Sequence, residues 1–350
     1  MRPPALAALA LSGCLLANPA FDGDGATGTT HATGTTSTTA APTTTAAGST
    51  DMSAATGTTE AASAGESTGG TTGAPPTGPT LCGAPFDPAA IQPGVALDPL
   101  NSPSYDLDMW LSTDGLTLYF SSGREDPGGD SYRAIRPARD QPFGAPINSA
   151  DIGLSTADGD LKVALTEDGL FAAISIFNPD ARIVFATRDS PNASFGPRTL
   201  LPLTDPNATD FVDPHLSLIG DRLYAATLLG DDQTLVGWRL PDPATALPLD
   251  PDPFAAINAL PGSASDPSLS SDERVLLFGH RPDGQDNVDL WYATRDDRDA
   301  AFGAPAPLAV LNTDGDDASP HISADGCEIF FSRDPSKSYV YDLYRAAVAP

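Results

Sequence analysis

From about residue 102 onward, apolar residues recur in short alternating runs separated by turns rich in Asp, Gly, Ser and Pro. No stretch carries the three-to-four spacing of an amphipathic helix, whereas period-two runs of this length read as strands. One pattern returns five times: a brief apolar strand ending in Ser or Thr, an acidic turn, then a second alternating strand. The copies are Leu111-Ser112-Thr113-Asp114-Gly115-Leu116-Thr117-Leu118-Tyr119-Phe120, Leu165-Thr166-Glu167-Asp168-Gly169-Leu170-Phe171, Leu216-Ser217-Leu218-Ile219-Gly220-Asp221-Arg222-Leu223-Tyr224, Leu269-Ser270-Ser271-Asp272-Glu273-Arg274-Val275-Leu276-Leu277-Phe278 and Ile322-Ser323-Ala324-Asp325-Gly326-Cys327-Glu328-Ile329-Phe330-Phe331. Their Ser/Thr positions, 112, 166, 217, 270 and 323, are 54, 51, 53 and 53 residues apart. A fixed period of this size marks a repeat architecture.

Other features keep the same beat. A third strand recurs at Asp130-Ser131-Tyr132, Ile183 to Arg188, Leu235 to Trp238, Asp289 to Arg295 and Asp342 to Arg345. Phe-Gly follows it at Phe143, Phe195 and Phe302, and a short apolar stretch such as Leu308 to Leu311 ends at Asn312. Asp-Gly between alternating runs predicts hairpins with type I′ turns, whose two central residues both take positive φ. Four short antiparallel strands per unit describe propeller blades. The fold class is therefore all-β, a five-bladed β-propeller, with units near 102–155, 156–207, 208–260, 261–313 and 314–347. The fifth unit lacks its outer strand. The segment 86–101, with Val95-Ala96-Leu97 and Leu100-Asn101, has the character of the missing piece and is expected to close the last blade, removing its open edge.

The recurring Asp266-Pro267-Ser268-Leu269-Ser270-Ser271-Asp272, the Phe ending the next strand, and Asp289-Leu290-Trp291 and Asp342-Leu343-Tyr344 resemble the WD-like propeller repeats of the TolB type. The resemblance covers about residues 94 to 347; units two and three lack the Asp-Leu-Tyr signature. It implies a binding or scaffolding propeller of the bacterial envelope and carries no catalytic residues across.

The chain has 350 residues, with 18 Lys and Arg against 46 Asp and Glu, a formal charge of −28. That charge repels phosphate backbones and anionic headgroups, which excludes nucleic acid as a partner. The high Pro and Gly content, 35 and 32 residues, suits many turns.

Residues 1–13 read as an export signal: a charge at Arg2, an apolar run from Ala5 to Leu11, then small residues. The run is far short of the roughly 20 residues of a membrane span. Leu11-Ser12-Gly13-Cys14 resembles the lipobox of bacterial lipoproteins, which implies that Cys14 carries lipid and anchors the chain to a membrane, with the outer membrane or cell surface as its address. Segment 14–80 reads as a stalk. Between Gly25 and Thr80 it has no Val, Ile, Leu, Phe, Tyr or Trp to bury, so disorder is expected. The propeller is assigned 81–350. With Cys14 acylated, Cys82 and Cys327 remain, and in an oxidising compartment such a pair tends to form a disulfide.

Candidate chemistry is sparse. The turn aspartates Asp114, Asp168, Asp221, Asp272 and Asp325 share one repeat slot and are read as structural. His215 and His321 share another slot, on the strand nearest the channel. With Asp213 and Asp266 they form a set of channel polar residues that is a candidate for a divalent metal. Asp314-Gly315-Asp316-Asp317 and Asp283-Gly284-Gln285-Asp286-Asn287 offer oxygen ligands for Ca²⁺ without matching an EF-hand loop. No cofactor is otherwise called for. The domain's glutamates are Glu125, Glu167, Glu273 and Glu328, and no nucleophile elbow, HExxH or phosphate loop occurs. The expectation is a non-enzymatic, monomeric, membrane-anchored module for an envelope protein or cell-wall glycan. The alternative is a glycoside hydrolase, which would place paired carboxylates at one channel mouth.

Overall fold

A strand with one edge paired and one face packed needs neighbours on both sides, and five repeats supply them in a closed circle. The computed structural model describes residues 78–350 apart from 127, 157–158, 178–180, 206–207, 209, 230–231 and 243. The expected signal segment 1–13, Cys14 and all but the last residues of the 14–80 stalk lie outside the described residues. A small hairpin, β1 (Thr80–Leu81) and β2 (Ala84–Pro85), precedes β3 (Val95–Ala96). Blade one is β4 (Asp106–Leu111), β5 (Thr117–Ser122), β6 (Asp130–Ile135) and β7 (Ile147–Asn148). Blade two is β8 (Asp160–Leu165), β9 (Phe171–Ile176), β10 (Arg182–Thr187) and β11 (Thr199–Leu200). Blade three is β12 (Phe211–Leu216), β13 (Arg222–Leu229), β14 (Asp232–Asp242) and β15 (Thr245–Pro248). Blade four is β16 (Gly262–Leu269), β17 (Val275–Pro282), β18 (Asp289–Thr294) and β19 (Ala306–Pro307). Blade five is β20 (Asp316–Ile322), β21 (Glu328–Asp334) and β22 (Asp342–Ala347), with β3 as its fourth strand.

Each blade is a four-stranded antiparallel sheet in simple up-and-down order. The first strands, β4, β8, β12, β16 and β20, neighbour one another in sequence, and β20 returns to β4. The five-bladed all-β fold expected from the repeat is therefore the one observed, including closure of the last blade by the N-terminal strand. Among the described residues helix is confined to one α-helical turn, α1 (Ala255–Asn258), and two 3-10 turns, Pro88–Ala90 and Ser149–Ile152.

The join is made by strand pairing, by a bridge and by a covalent bond. Ala96 pairs with Tyr344 and Val95 with Arg345; Ile91 bridges Val348; and Cys82 is disulfide-bonded to Cys327, 245 residues away. Adjacent blades bury apolar side chains between them. Ile174, Phe185, Leu216 and Leu223 form one cluster, Tyr224, Phe254, Leu276 and Phe278 a second, Leu277, Leu290, Ile329 and Phe331 a third, and Met109, Phe120, Phe330 and Leu343 a fourth.

The repeated polar residues are explained by backbone hydrogen bonding. Ser112 Oγ accepts from the Thr117 N–H at 2.8 Å and donates to Asp114 Oδ1 at 2.6 Å, and Asp114 Oδ1 accepts from the Leu116 N–H at 2.9 Å. Thr166 with Asp168, Ser270 with Asp272 and Ser323 with Asp325 make the same hydroxyl–carboxylate bond at 2.7, 2.6 and 2.7 Å. The expected type I′ turn is not formed. Gly115 takes φ 76° but Asp114 stays at negative φ, so the loop spans 112–116 and Leu111 pairs with Leu118. The Ser and Asp side chains bond N–H groups inside this wider loop and so make it the better solution.

The Phe-Gly pairs have an equally local cause. Arg136, Arg188 and Arg295 directly follow their third strands with the guanidinium over Phe143, Phe195 and Phe302, at 4.7, 4.4 and 4.3 Å from the ring centroids. The glycine N–H then returns to the strand: Gly303 donates to the Thr294 carbonyl at 2.8 Å. In three of the blades an Asn after the outer strand clamps the third strand at both backbone atoms. Asn312 accepts from the Leu290 N–H at 2.8 Å and donates to its carbonyl at 3.0 Å; Asn258 does so on Leu235 and Asn101 on Leu343.

Candidate functional site

Every innermost strand breaks register, four at the same repeat position, between Leu107 and Trp110, Val212 and His215, Ser265 and Ser268, and Ala318 and His321, and blade two one residue earlier, between Asp160 and Val163. Such a bulge re-aims a side chain that simple alternation would place elsewhere. Each break encloses two residues, and the one four positions before the hairpin Ser or Thr is Asp108, Lys162, Asp213, Asp266 or Ser319, one repeat slot in five blades. Four adopt positive φ: Asp108 at 59°, Asp213 at 56°, Asp266 at 53° and Ser319 at 49°. Asp tolerates this region better than most residues because its short side chain bonds locally.

The five form one buried cluster. Oxygen atoms of Asp108, Asp213 and Asp266 lie within 4.8 Å of one another. Lys162 Nζ is 3.3 Å from Asp266 Oδ1. The Ser319 hydroxyl lies 3.0 Å from Asp108 Oδ1 and 3.2 Å from Asp266 Oδ1, and donates its single proton to one at a time. Ser265 donates to Asp266 Oδ2 at 3.0 Å. Asp108 Oδ2 and Asp213 Oδ2 have no partner. All three carboxylates are 0–2% exposed.

Burial of like charges sets the electrostatics. Removal from water, with the charge of Asp266 next, pushes the Asp108 carboxyl up to about 7. The same two causes in the same order hold Asp213 well above the carboxylate range. Burial alone would pull Lys162 down, but the charges of Asp266, Asp108 and Asp213 together outweigh it and leave its pKa raised.

His215 and His321 occupy the next tier along the channel and do not join the carboxylates. His321 Nε2 accepts from the Leu111 N–H at 3.0 Å and His215 Nε2 from the Leu269 N–H at 3.4 Å, each across a blade boundary. Trp110 lies between them, 5.2 Å from the His215 ring and 4.7 Å from the His321 ring. Burial depresses both imidazoles, His321 to about 3 with help from the charge of Lys162, and His215 well below its usual value. The expected set of four thus divides. Asp213 and Asp266 meet at one centre, while the histidines spend Nε2 on backbone. Asp108, Lys162 and Ser319 complete that centre and escaped the sequence reading.

Of the remaining candidates, Asp283, Asp286 and Asp314 are exposed in their loops, and the others have partners. Asp316 and Asp317 begin β20 rather than sitting in a loop. Asp316 Oδ1 accepts from the Val288 N–H, and Asp317 is held by Arg333 at 2.6 Å and by Thr313. In the Asp283–Asn287 turn, Asn287 donates to Asp289 at 3.2 Å. Glu328 pairs with Arg136 at 2.7 Å across the seam between blades five and one. Glu273 stands at φ 56° where other blades have glycine, buried against Tyr224, Arg222, Arg295 and Arg298.

Two spaces adjoin these elements. Beside the histidine tier is a small cavity of about 20 Å³ lined by Trp110, His215, His321, Ser217 and Ser270, room for roughly one water. On the hairpin side, between blades two and three, an open cleft of about 800 Å³ is lined by Phe171, Arg188, Ile219, Glu167, Asp168 and Asp242 among others. Ile219 is 70% exposed at its edge.

The sequence matches no protein-family model and none of the curated proteins. Solved structures share the fold. The catalytic domain of a GH62 α-L-arabinofuranosidase from Coprinopsis cinerea superposes with a TM-score of 0.51 at 12% identity, over 73% of this chain and 96% of that one. TolB from Acinetobacter baumannii matches with a TM-score of 0.43 at 13% identity, over 71% of this chain and 56% of its own length. A putative TolB from Agrobacterium tumefaciens matches with a TM-score of 0.43 at 15% identity, over 72% and 82%. At these identities the likeness is one of fold alone.

Proposed function

We propose that this chain is a non-catalytic binding and scaffolding propeller of the bacterial cell envelope. By this reading it is lipidated at Cys14, carried on the 14–80 stalk, placed at the outer membrane or cell surface, and takes an envelope protein or a cell-wall glycan. The cleft between the hairpins of blades two and three carries the reading. Its volume lies in the range of ligand sites, and it combines an apolar floor at Phe171 with both charge signs at its rim. Against a glycosidase stands the position of the three carboxylates that converge most closely among the described residues. They are sealed from solvent, and the neighbouring cavity has no room for a sugar ring. Among the described residues no helix is long and apolar enough to cross a membrane; the attachment proposed is lipid at Cys14, on the Leu11-Ser12-Gly13-Cys14 motif.

The test uses the full chain with a photo-crosslinker at Ile219, mixed with purified sacculi and, separately, with envelope extract. One of the two is expected to be captured, and Arg188→Glu with Ile219→Asp to reduce capture at least tenfold. Release of reducing ends from the glycan would overturn the non-catalytic reading; equal capture by the double variant would overturn the cleft. Retention of Cys14→Ser in the membrane fraction would overturn the anchor.

A further inference from the structure

We propose that the carboxylates of Asp108, Asp213 and Asp266 form a binding site for a hard divalent cation of calcium size at the centre of the propeller. Three atoms spaced within 4.8 Å of one another all lie within about 2.8 Å of a common point, and Ca²⁺–oxygen distances are about 2.3–2.6 Å. A displacement of a few tenths of an ångström brings the three oxygens into coordination. Ser319 Oγ lies against two of the three aspartates and is a fourth oxygen donor. Each carboxylate can bind through one or two atoms, which reaches the six to eight ligands Ca²⁺ takes.

Two further features of the cluster favour a cation. Asp108 Oδ2 and Asp213 Oδ2 are buried acceptors with no donor, and buried polar atoms are seldom left so without a ligand, ion or water. Lys162, the one cationic side chain in the ring, contacts Asp266 Oδ1 and reaches neither orphan oxygen. Three ionised carboxylates and one ammonium leave the ring two negative charges in excess, which a divalent cation cancels. The donor set is oxygen only, which selects Ca²⁺, Mn²⁺ or Mg²⁺ over the softer metals that seek imidazole or thiolate. His215 and His321, the residues of softer character nearby, are bonded to backbone N–H groups through Nε2.

Because the ring is sealed, the ion is expected to enter during folding and to exchange slowly. The full chain, with its disulfide intact, is unfolded in denaturant with EDTA, desalted, and refolded with or without Ca²⁺ or Mn²⁺. We expect about one equivalent of metal retained per chain after dialysis, by elemental analysis, and a raised Tm. Asp108→Asn/Asp213→Asn keeps the side-chain shapes while removing two of the charges, and should lose at least tenfold in affinity. As a check needing no variant, an anomalous difference map of Mn²⁺-loaded crystals should show one peak between the three aspartates. Retention of metal at full affinity in the double variant would place the binding on the acidic surface and overturn the proposal. So would the absence of a peak in the channel, or of any bound equivalent in the refolded wild type.

Discussion

Two rings of equivalent residues run around this propeller, and they differ in kind. In the hairpin ring, Ser112, Thr166, Ser270 and Ser323 each pair with the aspartate two residues on, and Ser217 with Asp221 four residues on, so four blades carry one solution and blade three a close variant of it. In the bulge ring the backbone repeats in four blades, with blade two departing at Lys162, and the side chains are Asp108, Lys162, Asp213, Asp266 and Ser319. A residue that builds a blade has the same task in every blade. A residue facing the axis meets its four counterparts, so five copies of one charge would repel and the ring works only as a mixture. Uniformity marks construction here, and variety at a constant backbone position marks the site.

The contrast is testable in order of effect. Lys162→Met in metal-free buffer leaves three buried carboxylates without a cation and should cost about 3–5 kcal/mol in urea denaturation, the range for breaking a buried ion pair from one side; a loss below about 1 kcal/mol would mean the ring is not electrostatically coupled. The pH dependence is next. Asp108, raised to about 7, binds its proton more tightly folded than unfolded, so its contribution falls as pH rises from about 4 to 7. His321, depressed to about 3, binds its proton less tightly folded, so its contribution is full above about 6.5 and lost as pH falls. Asp108→Asn removes the falling component, and metal-free stability should then rise with pH between 4 and 6.5 more steeply than in the wild type, by up to about 1.4 kcal/mol per pH unit.

In the hairpin ring, Ser112→Ala, Ser270→Ala and Ser323→Ala should each cost about 1 kcal/mol. The three values should agree closely, since the contacts are the same; a spread as wide as that of the bulge ring would erase the distinction. Smallest of all, Ile219→Ser at the exposed cleft edge should change stability by no more than about 0.5 kcal/mol while weakening capture of the ligand.

The hairpin ring was legible in the sequence because its residue types recur, and a recurring letter at a recurring interval can be seen. The last blade was legible for the same reason: Leu97, Leu100 and Asn101 repeat the spacing of Leu308, Leu311 and Asn312. The bulge ring was half hidden. Asp213 and Asp266 stand out before proline, but Asp108 reads as the polar member of an alternating strand between Leu107 and Met109, and Lys162 shares no chemistry with its counterparts. Only the register shift turns them inward, and no local residue type announces it. Comparing the slot four residues before each hairpin Ser or Thr is the signal that finds all five. Glu273 was concealed in the opposite way, because the repeat explained its place in the turn and so obscured the three arginines that converge on it.

The disulfide has a mechanical consequence. The strand that closes the ring is two residues long, held by the β3–β22 pairing and the Ile91–Val348 bridge. Any pull transmitted along the chain from the N-terminal side reaches Cys82 before it reaches β3. At Cys82 the load passes through a covalent bond to Cys327, at the start of β21 in the interior of the same blade. The seam is thereby shielded from tension applied from the N-terminal side, and the load falls on the interior of the blade instead of its two-residue edge strand.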